Sequence, residues 1–147
     1  MKKLALASVF VVAACSSRGG GPSGSETGAP SASAAVNAYM AAMKARDLQA
    51  MSAVWGTSRG SVRETMPREQ MEKSGTIVMG LMCPEEFTIT GNVSHDPGKR
   101  QLRGQMKRGT RTIDITFIAV EGPRNRWYVE DVPLNGDLPQ RLQAFCR

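Results

Sequence analysis

The apolar residues of this 147-residue chain change their spacing at Pro84, and that change limits the fold more than any other feature. Before Pro84 they recur every three or four residues, as on one face of a helix. After it they alternate, as on one face of a half-buried strand. Helices followed by a run of strands joined by short turns define an α+β domain, with N-terminal helices packed on an antiparallel four-stranded meander.

The helical half divides at polar or special residues. Val36, Tyr39, Met40 and Met43 form one stripe, with Ser33 as the expected N-cap. Asp47 interrupts the pattern, and Leu48, Met51, Val54 and Trp55 resume it up to Gly56. This predicts a long helix broken near Asp47, then a loop over 57–61. Pro67 suits the first turn of another helix, whose expected stripe is Met71, Ile77 or Val78, Leu81 and Met82. Gly75 and Gly80 weaken that helix by about 1 kcal/mol each relative to alanine.

Strands are expected over 87–93, 101–108, 111–120 and 127–132. Gly109-Thr110 fits a two-residue hairpin with glycine first. That turn pairs Met106 with Ile113, Gly104 with Ile115 and Leu102 with Phe117, placing all six on one face. Asp96-Pro97-Gly98 and Gly122-Pro123-Arg124-Asn125 turn the chain between the outer pairs. A short helix is expected from Asp137-Leu138-Pro139 through Phe145.

The N-terminus carries an address. Lys2 and Lys3 precede eleven mostly apolar residues, 4–14, whereas a membrane span needs about 20. The segment therefore reads as a cleavable signal over 1–14. Its end, Val12-Ala13-Ala14-Cys15, resembles a bacterial lipobox, which implies cleavage before Cys15 and acylation of that residue. The membrane is then a partner through the acyl chains, since two or more chains hold a protein durably. Ser16 after the cysteine is similar to lipoproteins sorted to an outer membrane, facing the periplasm of the cell envelope. Residues 15–33 are rich in Ser, Gly, Pro and Ala and read as a flexible tether. Its mean reach is on the order of 23 Å. The expected domain is 34–147.

Removal of Lys2 and Lys3 lowers the formal charge from +6 to +4, moderate for a soluble domain. No nucleic-acid motif accompanies it, and nucleic acid is not an expected partner. Once Cys15 is acylated, Cys83 and Cys146 remain. In an oxidising compartment an even count favours a disulfide, while two buried thiols acting as small hydrophobes is the alternative. With a single histidine, His95, and no Cys-x-x-Cys pair, no metal site or cofactor is called for.

The stretch Val36-Asn37-Ala38-Tyr39-Met40-Ala41-Ala42-Met43-Lys44-Ala45-Arg46-Asp47-Leu48-Gln49-Ala50-Met51 resembles the first helix and turn of the nuclear transport factor 2-like superfamily. Trp55-Gly56-Thr57 and Trp127-Tyr128-Val129-Glu130-Asp131-Val132 are similar to exported members of that group. The resemblance implies a cone, with a curved sheet around helices and a pocket inside. Enzymes of the superfamily place acid–base residues in that cone, and the candidates here are Tyr39, Asp114, Tyr128 and Glu130. Tyr39 lies on an apolar helix face, where its phenol either polarises a ligand or is satisfied within the core. Asp114 lies between Ile113 and Ile115 and so points to the other sheet face, enclosed or facing Gln105 in water.

Arg103, Lys107, Arg108 and Arg111 form a basic hairpin suited to an anionic surface or partner, or else a solvated face. The reading these features support is a lipid-anchored envelope protein, not an enzyme, that binds a small apolar ligand or a protein partner. An isomerase- or hydrolase-like enzyme and a basic docking module are the alternatives.

Overall fold

A computed structural model of the chain describes residues 26–147. The expected signal segment 1–14, Cys15 and the expected tether up to residue 25 lie outside the described residues.

Two helices replace the single broken one. α1 spans Ala32–Ala45 and α2 spans Leu48–Val54. Arg46 ends α1 in the left-handed region (φ 55°), and Asp47 caps α2, its carboxylate accepting from the Ala50 amide at 2.9 Å. The N-cap of α1 is Ser31 rather than Ser33, with its hydroxyl accepting from the Ala34 amide at 3.1 Å.

The folded region also begins before residue 34. Thr27, Gly28 and Ala29 are buried, and Ala29 exchanges two backbone hydrogen bonds with Trp127, at 2.9 and 2.8 Å. A tether composition hid this segment because its small side chains are what fit there. A Cβ on Gly28 would stand 2.7 Å from the ring of Tyr128.

The expected loop over 57–61 contains a minimal hairpin, β1 (Gly56–Thr57) with β2 (Gly60–Ser61), followed by the one-turn helix α3 (Val62–Thr65). α4 spans Arg68–Leu81 directly after Pro67. Its buried row is Met71, Gly75 and Met79, with Met82 just beyond, whereas Ile77 is 59% exposed. The row runs through Gly75 because α2 crosses there, and a Cβ would meet Leu48 Cδ1 at 2.3 Å. A glycine contributes no apolar signal, so the expected stripe has Met71 and Met82 right but places Ile77 or Val78 and Leu81 where the structure buries Gly75 and Met79.

The sheet is a meander in the order β3 (Glu86–Ser94), β4 (Lys99–Arg108), β5 (Arg111–Gly122) and β6 (Arg126–Asp131). Met106 faces Ile113, Gly104 faces Ile115 and Leu102 faces Phe117, the register that the Gly109-Thr110 turn requires. Gly109 has φ +55°, a conformation open to glycine without strain. Two bulges break the outer ladders. One leaves Thr90 unpaired between Ile89 and Gly91, and the other leaves Glu130 unpaired between Val129 and Asp131. Bulges bend a strand and re-aim side chains.

α1 touches all four strands, and its Val36, Tyr39, Met40 and Met43 pack on Leu102, Met106, Ile113, Ile115 and Phe117 to form the core. α5 (Leu138–Cys146) closes the far end, burying Leu142 and Phe145. A disulfide joins Cys83 to Cys146, with Cα atoms 5.7 Å apart, and so ties the end of α4 to the end of α5. The architecture is α+β. No helix among the described residues is long and apolar enough to cross a membrane.

Candidate functional site

Of the four candidate acid–base residues, Tyr39 and Glu130 line one cavity, while Asp114 and Tyr128 lie elsewhere. Asp114 is exposed on the outer sheet face and accepts a hydrogen bond from Gln105 at 3.2 Å. Strand alternation dictates this, since Ile113 and Ile115 both turn inward. Tyr128 is fully buried beneath the N-terminal segment. Its hydroxyl lies 3.4 Å from Thr27 Oγ1, and the Thr27 hydroxyl in turn donates to Glu64 at 3.1 Å. Glu130 is held by an ion pair with Lys99. The hydrogen bond and charge of Glu130 keep the Lys99 ammonium protonated above the usual lysine range.

Tyr39 is different. The residue is 2% exposed, and its ring meets Phe117 edge-on, at 6.3 Å between centroids. Phe87 meets the same Phe117 ring at 5.5 Å, so three aromatic rings fix one another in place. No group among the described residues hydrogen-bonds to the Tyr39 hydroxyl, which is not sealed from solvent, and Tyr39 lines a cavity of about 220 Å³. Burial holds the phenol protonated well above the ordinary tyrosine range, and the carboxylate of Asp131 adds to the effect.

The cavity lies between the end of α4 and the end of β6. Val78, Leu81 and Met82 form one wall, and Val129, Val132 and Leu134 the other. Trp55 lines it from the end of α2, and among the described residues Glu130 and Asp131 are its only charged lining residues. The bulge at Glu130 sets this arrangement, because it lets two consecutive carboxylates flank one cavity. Sequence reasoning placed Tyr39 and Glu130 among the candidates but missed Asp131 and Leu134. A break in strand alternation leaves no mark in an apolar pattern.

Two members of the basic hairpin are occupied. Arg108 donates to the carbonyl of Cys146 and lies 3.8 Å from Glu85, and Arg111 donates to the carbonyl of Ala144 at 2.8 Å. These carbonyls belong to the last turn of α5, where unpaired acceptors and the helix dipole both favour a cation. Lys107 lies 3.5 Å from Glu86, and Arg103 packs over Gly91. Arg108 and Arg111 thus hold the end of α5, while Arg103 and Lys107 stand exposed on the outer sheet face. Among the described residues, no group of three or more His, Cys, Asp or Glu could hold a metal ion.

No protein-family model matches the chain, and no curated protein matches it. Among solved structures it is similar to an NTF-2-like protein of unknown function from Shewanella oneidensis. That likeness has 15% sequence identity and a TM-score of 0.39, and covers 65% of this chain and 88% of the other.

Proposed function

We propose that this protein is a lipid-anchored envelope protein whose domain binds a small, largely apolar ligand in the cavity under α4. The observation that carries this reading is the Tyr39 hydroxyl. A hydroxyl at the end of a buried ring, unpaired among the described residues yet not sealed from solvent, is a polar group that a ligand entering the cavity can engage in place of water. Apolar walls with one or two placed polar groups are the usual form of a small-molecule site. The volume suits a compact ligand. The cone-shaped fold that the Val36–Met51 resemblance implies accords with a ligand site in this position.

2-Phenylethanol, a neutral ring with a short hydroxyl arm, is a suitable probe. Calorimetric titration of the full-length protein should give saturable binding with a Kd on the order of 0.1–1 mM. Filling the cavity with Val78→Trp should abolish it. Absence of saturation, or saturation that survives Val78→Trp, sinks the cavity reading.

Anchoring is tested separately. Cys15→Ser should eliminate incorporation of labelled fatty acid and release the protein from the membrane fraction. Label retained on the variant overturns the anchor.

A further inference from the structure

The cavity under α4 is charged on one side only, and this bears on the ligand it admits. Among the described residues its lining has two carboxylates and no basic side chain. Glu130 is matched by Lys99, which stands outside the lining. Asp131 makes no ion pair and no side-chain hydrogen bond among the described residues, and it is exposed. The local charge of Lys99, Glu130 and Asp131 taken together is therefore negative. It faces an apolar space in a chain whose overall formal charge is +6. Trp55 in the lining points the same way, since an indole ring carries a negative potential on its faces that attracts cations. The unpartnered Tyr39 hydroxyl adds a group able to accept a hydrogen bond from an N–H donor.

We propose that the cavity selects a small organic ammonium ion over the matching carboxylate, with the cation toward Asp131 and its apolar body among Trp55, Val78 and Leu81. The proposal deepens the ligand-binding reading and rests on it. An anionic ligand of the same size would bring its charge against Asp131 with no cation in the lining to receive it. A neutral one would gain the burial alone.

Three probes of nearly equal shape separate these cases: 2-phenylethylammonium, 2-phenylethanol and phenylacetate, each titrated calorimetrically into the full-length protein at neutral pH. In low salt the ammonium should bind about tenfold tighter than the carboxylate, with the alcohol between them. The ratio should shrink at 1 M salt, where the screening length is about 3 Å. Asp131→Asn should bring it toward one. Asp131 is exposed and pairs with no other side chain, so this variant is not expected to disturb folding. The salt series on the unmodified protein tests the same point without it.

If the alcohol binds but the carboxylate binds as tightly as the ammonium, the selectivity is wrong and the cavity reading stands. The selectivity fails equally if the ratio is indifferent to both salt and Asp131→Asn. If the alcohol itself fails to bind, the underlying reading falls with it.

Discussion

Replacing Cys83 and Cys146 together with alanine should destabilise the domain by about 4 kcal/mol, measured as the change in unfolding free energy in urea. The bridge closes a loop across a sequence separation of 63 residues. In the chain-entropy treatment, a loop of that length removes about 4 kcal/mol of freedom from the unfolded chain. For a domain of this size the melting temperature should fall by about 15 °C. The native contacts around the bridge favour a loss close to this value rather than a larger one. Leu142 and Phe145 remain buried against the sheet, and Arg111 still donates to Ala144. α5 should therefore stay docked in the variant. Reduction of the unmodified protein should reproduce the shift, and a shift below about 1 kcal/mol would contradict the loop-closure account.

The parts of the fold that were legible in the sequence are those set by local rules. Gly109-Thr110 permits one short turn, a two-residue turn fixes the register of its strands, and alternation then assigns Leu102, Met106, Ile113, Ile115 and Phe117 to one face. Each step uses residues adjacent in the chain. The break at Asp47 was legible for the same reason, since a carboxylate that caps the following amides interrupts an apolar stripe visibly.

What escaped depends on contacts distant in sequence. Thr27 to Ala29 look like tether until Trp127 and Tyr128 are known to lie beside them. Arg108 and Arg111 look like free surface charge until the end of α5, more than thirty residues on, presents its carbonyls to them. The cavity combines both cases. Tyr39 stood out from its position on α1, but its unpartnered hydroxyl and the carboxylate of Asp131 become a site only through the bulge at Glu130. Nothing in the alternation of β6 announces that bulge.

Truncation at the centre of the aromatic cluster should have an effect as large as loss of the bridge. Phe117→Ala should destabilise the domain by about 4 kcal/mol, since Phe117 is fully buried and removal of such a ring leaves a space the surroundings fill only in part. The loss has two sources. Apolar burial supplies most of it, and the edge-on contacts with Tyr39 and Phe87 add about 0.5–1.5 kcal/mol each. Phe117→Leu keeps most of the volume and should lose only about 1–1.5 kcal/mol. Asp114→Asn, three residues away but on the exposed face, should stay within about 0.5 kcal/mol of the unmodified protein. The ligand site should respond on a different scale. Phe117 does not line the cavity, yet its ring is what fixes the orientation of Tyr39. Phe117→Leu, which stays folded, should therefore weaken 2-phenylethanol binding severalfold by letting the phenol tilt. If stability falls as expected while affinity for the alcohol is untouched, the Tyr39 hydroxyl is not what the ligand meets.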